Sequence, residues 1–328
     1  MDKKHRFYTL GVLTSGGDAP GMNACVRAVA RTAFQEGANV VGIMNGYEGL
    51  INGEFKRWRN ARAVGGILRL GGTWLQAQRS ERFRTAKGQR EAIRNMNEEG
   101  IDGLLVIGGD GTLRGAHALS EQGVKVIGIP ASIDNDIWGT DMAIGVDTAL
   151  NTIMESVDKL RDTASSHTRA FLVETMGRDS GYLAIQAGIA CGAEMVLCPE
   201  FPTTVEKVAE VIEDAYRRGK NHAIIIVAEG ASIHVSELAR KLDEMDIGFK
   251  TRVSILGHIQ RGGSPTAFDR HLAARLGIRA VQALLAGEND MMVGLRGRDI
   301  TLAPLVDVTS KTRPVNMEYY NMVRMLAQ

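Results

Sequence analysis

The sequence predicts an α/β fold built on parallel sheets, and two observations carry that expectation. Short β-rich apolar runs alternate with longer amphipathic helical patterns, and glycine-rich turns stand just after the apolar runs. The runs fall at Phe7 to Thr14, Asn39 to Met44, Gly103 to Ile107, Lys125 to Ile129, Arg169 to Val173, Glu194 to Leu197, Ala223 to Ala228 and Arg252 to Leu256. They read as mainly continuous apolar runs and not as alternating ones, the pattern of strands covered on both faces by helices. Leu150, Ile153, Met154, Val157 and Leu160 mark one face of a helix, as do Val205, Val208, Ile212, Ala215 and Tyr216. Strand and helix in alternation mean βαβ units. At 328 residues and 44% hydrophobic content the chain buries a sizeable core, and its length suggests about two domains.

Composition removes several function classes. The 39 basic and 38 acidic residues leave a formal net charge of +1, so no bulk field recruits nucleic acid or anionic lipid. An anionic ligand therefore has to meet a local cluster of cations. Cys25, Cys191 and Cys198 show no CxxC spacing and no even-numbered framework, which reads as buried, reduced thiols in a cytoplasmic protein. The apolar stretch of MDKKHRFYTLGVLT is short and runs straight into SGGD, so it is a first strand and not a cleaved leader. No run approaches the ~18 apolar residues of a membrane span.

The glycine-rich turns then place the chemistry, because an α/β fold collects its ligands at the carboxyl ends of strands. Thr14-Ser15-Gly16-Gly17-Asp18-Ala19-Pro20-Gly21-Met22-Asn23 follows the first strand and opens a helix, where free N–H groups and the helix dipole hold a phosphate. The same residues also suit an ordinary tight βα turn. Gly108-Gly109-Asp110-Gly111-Thr112 repeats the geometry and adds a carboxylate able to hold Mg²⁺ directly or through water. The run to Gly115 is GxGxxxG and not the dinucleotide GxGxxG, and the next strand ends in Pro130 with no ribose-binding acid beside it.

Pro130-Ala131-Ser132-Ile133-Asp134-Asn135-Asp136 sets two carboxylates two residues apart, with Asp141 and Asp147 nearby. A metal or cations must offset that charge, and a carboxylate there can accept the proton of an attacking hydroxyl. A solvated Asx turn is the plainer account. Arg79, Arg84, Arg169, Arg178, Arg252, His258 and Arg261 supply cations, several near strand ends where guanidinium forks suit phosphate. Each alone is a solvated surface residue on general grounds.

In this order, GVLTSGGDAPGMN, IGGDGT, SIDNDIWGTD, VDTALNT, RDTASSH and LGHIQRGGSPTAFDR resemble the bacterial ATP-dependent phosphofructokinase family from Gly11 to about residue 290. The resemblance implies two similar three-layer α/β domains with mainly parallel sheets. A nucleotide-binding domain would hold 1–145 plus about 258–308, and a sugar-phosphate-binding domain 146–257 plus about 309–328. It implies phosphoryl transfer from Mg-ATP to the 1-hydroxyl of fructose 6-phosphate, in a cytoplasmic homotetramer whose active sites are shared by subunits.

Position by position, the resemblance assigns Gly17, Tyr47, Arg79, Ser80, Gly109, Asp110, Gly111 and Thr112 to the nucleotide, with Asp110 at the Mg²⁺ position. Asp134 matches the general base, Ser132 and Asp136 flank it, and Arg178 with Arg79 faces the transferred group. Met176, Gly177 and Glu229 match sugar contacts. His258 and Arg261 match 6-phosphate contacts of the same subunit, and Arg169 and Arg252 those donated by a neighbour. Arg27, Arg31, Arg161, Glu194, Arg218, Lys220 and His222 match an effector site for ADP or phosphoenolpyruvate, although Asn221 stands where lysine is common. Pyrophosphate-using relatives resemble GGDD and PKTIDND where this chain has Gly111 and Ala131, which favours ATP. A pyrophosphate-dependent or mixed-donor enzyme, and a non-catalytic subunit binding a sugar phosphate, are the alternatives.

Overall fold

In chain order, the computed structural model runs β1 (Thr9–Ser15), α1 (Met22–Gln35), β2 (Asn39–Ile43), α2 (Gly46–Asn52), β3 (Phe55–Trp58), α3 (Ala86–Glu99), β4 (Gly103–Gly108), α4 (Asp110–Ser120) and β5 (Val126–Pro130). Next come α5 (Val146–His167), β6 (Arg169–Thr175), α6 (Tyr182–Cys191), β7 (Met195–Leu197), α7 (Val205–Arg217), β8 (His222–Ala228), α8 (Val235–Glu244) and β9 (Lys250–Ile255). The chain closes with α9 (Ala267–Leu285), β10 (Met291–Arg296), β11 (Asp299–Pro304), α10 (Leu305–Ser310) and α11 (Met317–Leu326). The structure describes residues 8–245 and 247–327. Phe7, where the first strand was expected to begin, lies outside them.

The chain divides into two compact units. One holds the residues up to Ser132, Ile137–Asp147 and Arg261–Arg313; the other holds Ile133–Asp136, Thr148–Gln260 and the stretch from Pro314. The first unit carries a seven-stranded sheet in the order β11-β10-β5-β4-β1-β2-β3. Its five middle strands are parallel and its two edge strands, β3 and β11, antiparallel. Val12, Leu13, Leu104, Leu105, Ile127 and Ile129 are at most 1% exposed, as strands covered on both faces require.

The second unit carries four parallel strands in the order β7-β8-β6-β9. Its core joins Leu172, Ile225 and Val227 of the sheet to Val208 and Ile212 of α7 and Leu238 and Leu242 of α8. Tyr216 departs from the apolar face that spacing assigned to α7. It is 49% exposed and turns its ring edge-on to Phe249 at 5.2 Å, because that end of the helix passes over the loop before β9.

Among the described residues, no helix is long and apolar enough to cross a membrane. All three cysteines are free and buried. Burial pushes the Cys191 thiol up to about 11 and that of Cys198 to about 12, and it raises Cys25 further still.

Candidate active site

In the first unit, the chain leaves β1 toward β2 on one side and passes from β4 to β5 on the other, so β1 and β4 are neighbours from which the order runs both ways. Ligands settle at the carboxyl ends of such a pair. Ser15 pairs with Gly108 at that end, and the two glycine turns leave it side by side. Gly16 has φ +84°, a backbone that glycine adopts without strain, and a Cβ there would stand 3.0 Å from Thr112 Oγ1. Gly17 is exposed beneath the Arg261 guanidinium: a Cβ would stand 2.7 Å from Nη1, which donates to Asp18 O at 3.2 Å.

Asp110 is the first residue of α4, and its carboxylate pairs with Arg114 one turn along. Nothing lies within 4 Å of a Cβ built on Gly111, so the mouth of this turn is open. The donor set suits Mg²⁺, which binds through one or two carboxylates and takes its other ligands from phosphate and water. Among the described residues no three His, Cys, Asp or Glu side chains gather into a metal cage.

Tyr47 is buried, donates from Oη to Thr112 O at 2.7 Å, and stacks on Phe83 with ring centroids 3.9 Å apart. Burial raises its hydroxyl pKa well above the usual value. Ser80 Oγ donates to Glu48 Oε2 at 2.5 Å, and Arg82 donates to Glu48 Oε1 at 2.8 Å. Arg79, on the same segment, is exposed. Ser132 is buried near Gly109, where a Cβ would stand 3.7 Å from its own Cβ.

The second unit gathers its set in the same manner. Met176, Gly177 and Arg178 follow β6, Glu229 follows β8, and His258 lies just past β9, all at the carboxyl ends of parallel strands. Asp134 is 3% exposed, and its Oδ2 lies 3.6 Å from Arg178 Nε. Asn135 takes φ +51°, a left-handed conformation that asparagine tolerates, and Asp136 beyond it is half-buried.

Arg178 takes φ +52° as well. Glu229 Oε1 accepts from the amides of Gly177 at 3.1 Å and Arg178 at 2.6 Å, which holds that turn. Met176 N donates to Oε1 of the buried Gln260 at 3.2 Å. Burial, with the neighbouring carboxylate of Glu229, raises the Glu174 pKa.

Arg169 and Arg252 stand elsewhere. Arg169 opens β6, six residues before Thr175 and so roughly 20 Å along the strand from the Met176–Arg178 turn, at about 3.3 Å per residue. Arg252 is exposed in β9, opposite Phe171, and donates from Nη1 to Thr251 O at 2.8 Å.

Part of the expected effector set also comes together here. Glu194 is buried, with Lys220 Nζ at 2.9 Å and Arg218 Nη2 at 3.9 Å from Oε2. His222 Nδ1 lies 3.0 Å from Ser165 Oγ, and burial, followed by the charges of Arg161 and Lys220, lowers its pKa. Arg161 donates to Cys191 O. Glu194 and Arg218 also line a groove of about 560 Å³ with Tyr320 and Arg324. Arg27 and Arg31 lie on α1, in the first unit. Burial and then the charge of Arg31 lower the pKa of Arg27.

The first unit carries glycine turns at its strand ends and the second a buried carboxylate beside a guanidinium, features of a kind found in phosphotransferases, the class to which the similar proteins belong. Residues 9–284 match the family described as phosphofructokinase. Over 319 residues the chain is 50% identical to the ATP-dependent 6-phosphofructokinase of Thermotoga neapolitana, covering 97% of this chain and 99% of that one. It is 46% identical to ATP-dependent 6-phosphofructokinase 2 of Bacteroides thetaiotaomicron over 324 residues, 97% of this chain and 98% of that one. The structure of phosphofructokinase from Saccharomyces cerevisiae superposes with a TM-score of 0.88 at 38% identity, over 98% of this chain and 48% of that chain. The chain belongs to the phosphofructokinase family.

Sequence reasoning did not single out Gln260, Glu48, Phe83 or Arg114. Gln260 sits inside the HIQRGG motif, and Arg114 stands four residues after Asp110 in a helix, a spacing that puts both on one face. Glu48 and Phe83 meet their partners only through tertiary contacts.

Proposed function

We propose that the protein transfers the γ-phosphoryl group of Mg-ATP to the 1-hydroxyl of fructose 6-phosphate, giving fructose 1,6-bisphosphate and ADP. The observation that carries this reading is the buried Asp134 carboxylate beside the Arg178 guanidinium: a proton acceptor next to a cation for the transferred group. It is supported by relatives named ATP-dependent 6-phosphofructokinase that match over nearly their full length.

The turns after β1 and β4 hold the nucleotide phosphates on backbone N–H groups, and Gly17, Gly109 and Gly111 keep that approach free of side chains. Asp110 would hold Mg²⁺, which neutralises charge on the phosphates when bound. Arg79 and Ser80 stand on the segment assigned to the nucleotide. Asp134 accepts the proton of the 1-hydroxyl, while Ser132 and Asp136 orient the sugar beside it. Arg178, with Arg79, stabilises charge on the equatorial oxygens. Met176, Gly177 and Glu229 hold the sugar, and His258 and Arg261 its 6-phosphate.

Arg169 and Arg252 serve the 6-phosphate of a neighbouring subunit, which makes the enzyme an oligomer, a homotetramer by its family resemblance. The placement of Arg169 at the opposite end of β6 from Arg178 supports a role away from its own site. Arg161, Glu194, Arg218, Lys220 and His222, with Arg27 and Arg31, bind an anionic effector such as ADP or phosphoenolpyruvate. The protein works in the cytoplasm. A coupled assay with fructose 6-phosphate and either Mg-ATP or Mg-pyrophosphate tests the reading. Strong turnover with ATP and little with pyrophosphate is expected, and efficient use of pyrophosphate would overturn the donor assignment.

A further inference from the structure

Asp110 and Arg114 form an ion pair across one turn at the start of α4. The acid lies nearer the helix N-terminus than the base, the favourable order for such a pair. The two side chains are 35% and 57% exposed, so the pair sits at the open mouth of the β4 turn and not in the core. No side chain or backbone crowds Gly111 between them. A divalent ion reaching Asp110 therefore meets a carboxylate that already has a cation on it, and the guanidinium has open space into which to withdraw.

We propose that Arg114 is an internal counter-ion that competes with the divalent metal for Asp110 and so sets how much metal the enzyme needs. It is a positioning residue, because it acts through Asp110. Without metal it holds the carboxylate in place at the turn; with metal bound it has to release it, and its positive charge remains close to the ion. Both effects weaken metal binding. The inference rests on the assignment of Asp110 to Mg²⁺, and the experiment separates failure of the one from failure of the other.

The test is a Mn²⁺ titration, followed by electron paramagnetic resonance, of the full-length protein saturated with a non-hydrolysable ATP analogue. Wild type, Arg114→Met, Arg114→Lys and Asp110→Asn are compared. Arg114→Met should bind Mn²⁺ about three- to tenfold tighter, the scale of losing one exposed ion pair and one neighbouring cation. Arg114→Lys should stay within about twofold of wild type, since it keeps the charge. Asp110→Asn should bind more weakly. In the absence of metal, Arg114→Met should melt slightly lower than wild type, from loss of the helix pair. Unchanged or weaker Mn²⁺ binding in Arg114→Met, with Asp110→Asn weakened, would overturn the counter-ion role and leave the metal assignment standing. Unweakened binding in Asp110→Asn would overturn both.

Discussion

Asp134 and Arg178 meet with Oδ2 and Nε 3.6 Å apart, the carboxylate side chain 4% and the guanidinium side chain 56% exposed. The carboxylate is sunk in the second unit while the guanidinium stands at its surface, so on the proposed mechanism a substrate hydroxyl would reach Asp134 beside a cation. Substituting Asp134 with Ser should lower kcat by ~10²–10⁴ with fructose 6-phosphate affinity close to unchanged, because a general base acts mainly in the transition state. A kcat within a fewfold of wild type would mean that another group takes the proton.

Glu229 holds the Gly177–Arg178 turn by accepting two amide hydrogen bonds on one oxygen. Glu229→Ala removes both and leaves Arg178 at φ +52° without that restraint. A loss of about 10²-fold in kcat/KM is expected, on the scale of one to two charge-assisted hydrogen bonds. Glu229→Gln keeps an acceptor and should recover to within about tenfold of wild type. Equal losses in both variants would show that the negative charge matters and the turn does not.

Gly111 is exposed, and a side chain there meets nothing within 4 Å. Gly111→Asp should therefore fold normally, with a thermal midpoint at or above wild type, since an acid in the first turn of a helix is favourable. On the proposed nucleotide assignment the added carboxylate would face the polyphosphate, so ATP use should fall at least ~10-fold, equivalent to about 1.4 kcal/mol. Undiminished ATP turnover would remove the nucleotide from this turn.

Arg169→Ala and Arg252→Ala should weaken fructose 6-phosphate binding far more than ATP binding. Each variant, mixed and exchanged with Asp134→Ser subunits, should regain activity in the hybrid, because intact sites are then assembled from two defective chains. Exchanged hybrids that stay inactive would count against shared sites.

The thiols give a pH dependence with a defined sign. Cys191 and Cys198 are raised in the folded protein to about 11 and about 12 from a reference of 9.0, so the unfolded chain ionises first. Their contribution to stability is whole below pH ~9 and is lost as pH rises toward 11 to 12. Urea midpoints measured from pH 7 to 10.5 should fall more steeply for wild type than for a Cys191→Ala, Cys198→Ala double variant. Parallel curves would show that these thiols do not titrate differently on unfolding. Below pH 9 the native protein should also react slowly with thiol reagents.

The parallel strands other than β10, and the glycine turns, were legible in the sequence because each is a local signal: a largely apolar run, or glycines directly after one. β3, β10 and β11 were not. Phe55-Lys56-Arg57-Trp58 buries only Trp58, and β11 alternates exposed and half-buried positions, because both lie at the edges of the sheet and carry no continuous apolar run. β10 buries four residues in a row, but only two pairs bind it to β5, at a distance in sequence that no local pattern encodes. In the candidate site, Asp110, Asp134 and Arg178 stood out through their motifs. The buried Gln260 on Met176 N and the Phe83 ring on Tyr47 depend on chain segments that sequence order keeps apart.

Pairing of Met291 with Ile127 also governs how the chain is made. About 160 residues, including most of the second unit, separate β5 from the strand that covers its edge. At ~5–20 residues per second a ribosome takes roughly 8–30 s to synthesise that stretch. Through that interval Val126, Ile127 and Ile129, fully buried in the finished protein, form an open strand edge on the nascent chain. The first unit is thus the first to begin folding, and it is completed only after Thr148–Gln260 of the second unit have been made.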